Sequence, residues 1–274
     1  MAAAAHAGES PATTPAPKRK MRLWLKILIG VAVALVLLMG AGMLWGMSYM
    51  GYFNPGNSSD YDLENVEVLD DSPLEGLTIG QLGSSVTYGM QSMGVSFADY
   101  IAWRNNCTTV KEAVSGTTLV TSSENSYVER LLTMDTSTDF DIMMVQLSTN
   151  DAGDDPSPIG EVSDSYDLED FDTTTVIGAI EYIIAYSLET WDCEVVFYTC
   201  APNSKAGYED MVDALYEVAE KWDITIIDLY NTLDSDSVDL DTFMNDEIHP
   251  TKLGYLEWWT PVMEEALYAL VEGE

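Results

Sequence analysis

LTIGQLGSSVTYGM, residues 77–90, is the stretch on which the fold turns. A short apolar run gives way at once to small residues and then to an amphipathic segment. That order reads as a strand, a tight turn and the start of a helix. A serine on such a turn stands out from the end of its sheet, and Ser85 is placed to do so. A serine hydroxyl is a weak nucleophile until a base takes its proton. After the N-terminal tail the chain carries a single histidine, His249, in NDEIHPTKLGY, and Asp246 lies three residues before it. Pro250 stops that segment from continuing as a helix, so Asp246 and His249 can meet across a turn. The expectation is that Ser85 and His249 come together, with Asp246 orienting the imidazole.

Outward from residues 77–90 the pattern alternates. Residues 96–106 read as a helix with Ser96 as its N-cap, and residues 107–116 as a strand ending at Gly116. A helix from Ser122 and a buried strand over residues 139–148 come next, then an Asp-dense polar loop over residues 150–173. A long apolar helix to Trp191, a strand over residues 193–200, a helix over residues 208–222, a strand over residues 224–230 and a closing helix over residues 254–270 complete the chain. Strands alternating with helices imply βαβ units and a mostly parallel sheet, and no internal repeat interrupts them. In such sheets ligands sit at the carboxyl ends of the strands. Ser85 follows the first predicted strand, Gly116 ends the second, Asn150 follows the third, and Asp246 and His249 come after the fifth, all at that one edge. The amides of Ser85 and Gly116 and the side chain of Asn150 are candidate donors for an oxyanion, and glycine at 116 lets the backbone come close to a substrate.

Ahead of this domain the composition changes three times. Residues 1–22 are rich in Ala, Pro and Thr and end in basic residues, which reads as a disordered cytoplasmic tail. Residues 23–49 contain ILIGVAVALVLLMGAGMLW, an uncharged run from 27 to 45 with Trp24, Trp45 and Tyr49 at its edges. Such a run is long enough to cross a bilayer, and its basic N-terminal flank predicts a single-pass signal anchor in the cell membrane with the rest of the chain outside. A cleaved signal peptide is the competing reading; the run is long for one, and no AxA-type site follows closely. Residues 50–74, rich in Asn, Gly, Ser and Asp, read as a linker, and residues 75–274 as one domain.

Five of the 11 basic residues precede residue 27, so six remain to face almost all of the 46 acidic ones. A polyanion of formal charge −35 is not built to bind nucleic acid or to lie on anionic lipid through its body. Three cysteines without a CxxC pair give no zinc or redox motif and read as free thiols. The Asp-rich stretches at 151–155 and 234–241 lack the spacing of an EF-hand loop and read as solvated surface. Most tryptophans fall in helical patterns and read as packing, while the Trp258–Trp259 pair, close after His249, is positioned to line a substrate cleft.

LGSSVTYG, SGTT, STND and DEIHP, in that order and at those strand ends, resemble the SGNH hydrolases, the GDSL-like lipase/acylhydrolase family. The resemblance covers the whole of the predicted domain. It matches Ser85, Gly116, Asn150 and His249 to the four residues of the family's name and Asp246 to the Asp of its DxxH motif. Two positions depart from the family pattern: Ser84 replaces the Asp of GDS, and Ser148 replaces the Gly of GxND. The register favours Ser85 over its neighbour Ser84 as nucleophile. The resemblance implies a flavodoxin-like three-layer α/β/α sandwich with five parallel strands, here preceded by one transmembrane helix. It also implies ester hydrolysis through an acyl-serine without metal or organic cofactor. The substrate expected is a small acyl ester or an acylated glycan such as an acetylated one. An O-acyltransferase using the same triad and a non-catalytic glycan-binding protein are the alternative readings.

Overall fold

The computed structural model describes residues 21–273, so the proposed tail falls almost wholly outside the described residues. The chain divides into two units, Met1–Trp45 and Gly46–Glu274. Helix α1, Leu23–Tyr49, carries apolar side chains around its whole circumference and buries none of them. It has a mean hydropathy of 2.7 over its most apolar window, and among the described residues it is the one helix long and apolar enough to cross a membrane.

The second unit is built on five parallel strands in the order β2-β1-β3-β4-β5. They are β1, Thr78–Gly83; β2, Thr108–Ala113; β3, Ile142–Gln146; β4, Glu194–Tyr198; and β5, Thr225–Ile227. Central β3 is buried at every position, as its continuous apolar run requires of a strand covered on both faces. The connecting helices form the outer layers. Helix α2, Ser85–Tyr88, is a single turn after β1, and α3, Phe97–Asn105, packs with the C-terminal helix, Thr260–Glu272. Helices α4, Tyr127–Leu131, α5, Val176–Trp191, and α6, Tyr208–Trp222, pack side by side. This is the three-layer α/β/α arrangement with a five-stranded parallel sheet that the family resemblance implies. From β1 the chain crosses first to β2 on one side and then back to β3 on the other. The crevice of an open sheet lies at such a reversal, and Ser85 and Asn150 follow the two strands that flank it.

Three boundaries differ from the sequence reading. The helix expected from Ser122 begins only at Tyr127, because Ser126 and Glu129 form the capping box that starts it, and Asn125 ahead of them has a left-handed φ of 58°. Strand β2 stops at Ala113, leaving Gly116 in an exposed turn at φ 82°. The closing helix is interrupted: Tyr255–Trp259 is a π-helical turn, and Pro261, which has no amide to donate, follows it in the first turn of the C-terminal helix.

A larger correction concerns residues 50–74. They are not a free tether. Short 3-10 turns at Pro55–Asn57, Ser59–Tyr61 and Leu63–Asn65 hold the segment against the domain. Tyr100 donates to the Tyr61 carbonyl at 2.6 Å and the Trp103 indole to that of Val66 at 3.0 Å. Lys252 pairs with Asp62, and Leu74 is fully buried. Polar composition alone suggests a linker, but here the Asn and Ser side chains cap turns and meet partners remote in sequence.

Candidate active site

The turn after β1 is dictated by close packing. A Cβ at Gly83 would lie 1.7 Å from Thr87 Oγ1, so only glycine lets β1 run this tightly into α2. Ser84 is fully buried, and its amide donates to Gln146 Oε1 at 2.9 Å; its hydroxyl faces the same oxygen at 3.3 Å. Thr87 donates to that oxygen as well, at 2.8 Å, and meets Tyr198 Oη at 2.5 Å. Ser84 is thus tied into the interior, while Ser85, one residue later, turns its hydroxyl the other way.

Ser85 Oγ lies 2.8 Å from His249 Nε2, across 164 residues of chain. His249 Nδ1 is 2.9 Å from both carboxylate oxygens of Asp246. With Nδ1–H donated to the carboxylate, Nε2 presents a lone pair to the serine hydroxyl. The Asp246 carboxylate also accepts the amides of Ile248 at 2.9 Å and His249 at 2.8 Å, which closes the DxxH turn. Partial burial works to raise the Asp246 carboxyl. The hydrogen bond and charge of His249, together with these two amides, outweigh it and hold the group well below the usual carboxylate range.

Two of the three oxyanion candidates, Gly116 and Asn150, sit on loops bonded to each other. The amide of Ser85 is among the first of its helix and has no intrahelical acceptor. The Gly116 amide meets no acceptor among the described residues. Asn150 Nδ2 donates one hydrogen to the Thr117 carbonyl at 2.9 Å, keeping the other. Asp151 beside it is buried and accepts the Leu119 amide and the Ser157 hydroxyl, both at 2.7 Å, so the STND turn is pinned to the loop that follows Gly116. Ser148, where the family has glycine, caps that turn through the Asn150 amide at 3.1 Å.

Several supporting residues are not visible as motifs. Arg130 is 6% exposed and donates to the Gly83 carbonyl at 2.8 Å, to Thr117 Oγ1 at 3.0 Å and to the Glu112 carbonyl at 2.8 Å. One guanidinium therefore braces the ends of β1 and β2 and the Gly116 loop. Gln91 donates to Asp246 at 2.7 Å. For Arg130 the available signal is scarcity, a lone cation in a helix of a polyanionic domain; Gln91 carries none.

Beside Asp246 opens a cavity of about 660 Å³ whose wall includes Asn203, Asp241, Met244, Glu247 and Trp258. Trp258 thus lines a cleft as its position after His249 suggests, whereas Trp259 is fully buried against Phe97 and Tyr255. Among the described residues no group of three or more His, Cys, Asp or Glu side chains is arranged to hold a metal ion. The three cysteines are free, Cys193 and Cys200 buried and Cys107 partly so.

Residues 82–256 match the model of the GDSL-like lipase/acylhydrolase family. The chain belongs to that family. It is a hydrolase of SGNH type, and the match runs from the end of β1 past the DxxH turn. No curated protein sequence shows significant similarity to the chain. Among solved structures, a Lactobacillus plantarum protein superposes with a TM-score of 0.58 at 18% identity, covering 73% of this chain and 98% of its own. A Bacteroides ovatus protein described as a GDSL-like lipase gives 0.53 at 17% identity, with 73% and 100% covered. A carbohydrate esterase of family 2 from Myceliophthora fergusii, which carries a carbohydrate-binding domain, gives 0.52 at 15% identity, with 75% and 69% covered. At these identities the likeness is one of fold.

Proposed function

We propose that this chain is a membrane-anchored serine esterase whose catalytic domain lies outside the membrane and removes small acyl groups, acetyl among them, from glycan or small-molecule esters. The observation that carries the reading is the line from Ser85 through His249 to Asp246, with contacts of 2.8 and 2.9 Å. As Ser85 Oγ attacks the ester carbonyl carbon, its proton passes to His249 Nε2. The carbonyl oxygen takes up negative charge opposite the amides of Ser85 and Gly116 and the free hydrogen of Asn150 Nδ2. When the intermediate collapses, the carbon–alkoxy bond breaks and the leaving oxygen takes the proton from Nε2. Water then gives a proton to Nε2 and attacks the acyl-serine; the acid leaves and Oγ recovers its hydrogen. Asp246 stays ionised and holds the imidazolium.

The anchor is α1, and the basic residues ahead of it favour a cytoplasmic N-terminus. The fold shared with a carbohydrate esterase makes acetylated polysaccharide the first substrate to try. Release of acetate by the wild type but not by Ser85→Ala supports the full reading. A fluorophosphonate probe separates the steps: it should label Ser85, lose its site in His249→Ala, and label Ser84→Ala within about threefold of the wild-type rate, since that hydroxyl makes only a long bond in the interior. Label on Ser84, or none on the folded protein, would overturn the triad. Acylated sugar formed on adding a sugar acceptor would point instead to acyl transfer, in which a hydroxyl replaces water at the same acyl-serine.

A further inference from the structure

The carboxylate that orients His249 has a second partner. Gln91, 1% exposed, donates from Nε2 to Asp246 Oδ2 at 2.7 Å and accepts at Oε1 from Asn245 Nδ2 at 2.5 Å. Gln91 lies six residues after Ser85, so one buried amide joins the loop of the nucleophile to the loop of the acid. The backbone of Gln91 is held from outside the motif region. Asn57 Nδ2 donates to the Gln91 carbonyl at 2.8 Å and to the Gly51 carbonyl at 2.9 Å. Its Oδ1 accepts the amide of Lys252, three residues past His249, at 2.9 Å. Asn54 adds a bond of 3.1 Å to the Met244 carbonyl.

The fit is close. Gly51 adopts φ 78°, and a Cβ there would come within 2.4 Å of the Gln91 carbonyl and 2.6 Å of Asn57 Nδ2. A Cβ at Gly56 would lie 1.9 Å from the Thr242 carbonyl. A buried polar node with its partners satisfied fixes a single geometry, whereas removing one member strands the others. Here the stranded groups would be the Gln91 carbonyl and the Lys252 amide, which flank the two sides of the DxxH loop.

We infer that residues 51–57, which begin six residues after the apolar run of α1 ends, are a positioning element of the active site: Asn57 acts through Gln91 on Asp246. This rests on the triad reading above and adds to it a segment that precedes the family-matched residues 82–256. The hydrolase domain therefore carries, in the stretch joining it to the anchor, part of what orients its own catalytic acid.

The test is a double-mutant cycle on the full-length protein, read as hydrolysis of p-nitrophenyl acetate. Asn57→Ala should lower kcat about tenfold with KM within twofold, the signature of a displaced catalytic group. In an Asp246→Ala background the same substitution should cost less than about twofold, since the group it acts through is gone. Asn57→Asp, near-isosteric and still able to accept the Lys252 amide, loses the donor to the Gln91 carbonyl; it should behave alike and serves if Asn57→Ala does not fold. Equal losses in both backgrounds for the variant tested, or no loss in either, would overturn the inference. Failure of the triad reading looks different: Ser85→Ala or Asp246→Ala would then retain wild-type turnover.

Discussion

At the scale of single residues, Asp246 is the group whose titration matters. Partial burial pushes the Asp246 carboxyl up, yet it is held low, so His249 and the two loop amides dominate its environment. A carboxyl held below its unfolded value contributes stability above the ordinary carboxylate range, and that contribution is lost as the pH falls through the depressed value. Wild type and Asp246→Asn should therefore differ by a constant urea midpoint above pH of about 5 and converge progressively below about 4. Unfolding curves at several pH values check this, and a gap that stays constant down to the lowest pH would show that the Asp246 charge is not what the loop stabilises.

At the scale of elements, the strand–turn–helix of residues 77–90 carries the geometry. Gly83→Ala would drive a methyl group into Thr87 Oγ1 and towards Gln146 Oε1, 3.0 Å away, both of them interior groups with no room to yield. The turn would have to open, at a cost of about 2 kcal/mol or more. The expected result is a lowered melting temperature together with loss of fluorophosphonate labelling at Ser85. A stable variant that labels normally would show that the turn tolerates the movement. This element was legible because strand, small residues and helix follow one another directly in the chain. The DxxH turn was legible for the same reason, its proline and its three-residue spacing being local. Less of the surrounding structure could be read. Arg130 is recognisable as important only once the carbonyls of Gly83 and Glu112 and the Thr117 hydroxyl are seen to converge on it. SSENS looks like a polar first turn and so reads as the start of α4, while the capping box of Ser126 and Glu129 that starts it opens four residues further on. Gln91 and Asn57 make their bonds across 155 and 34 residues, and no local pattern encodes such partners.

At the scale of the whole molecule, the excess of acid gives the few cations of the domain a recognisable task. Arg104, Lys111, Arg130, Lys221 and Lys252 each pair with a carboxylate, and the partners Glu264, Glu181 and Asp62 lie on segments remote in sequence. Lys252–Asp62 is the pair that joins the region after the DxxH turn to the segment that polarity alone marks as a linker. Where the folded domain begins is therefore a question of energy. A chain starting at residue 75 would lose that pair, the Asn57 node, the bonds from Tyr100 and Trp103 and the buried side chain of Leu74. Four such hydrogen bonds at about 1 kcal/mol each and one buried leucine at about 2 kcal/mol sum to roughly 6 kcal/mol, which is comparable to the whole stability of many domains. A fragment from Gly46 onward keeps every one of these contacts. Expressed side by side, the fragment from 46 should unfold cooperatively and label at Ser85, whereas the fragment from 75 should be insoluble or melt far lower. Equal melting temperatures would mean that residues 46–74 lie on the domain without supporting it, and the boundary inferred from polarity would then be the physical one.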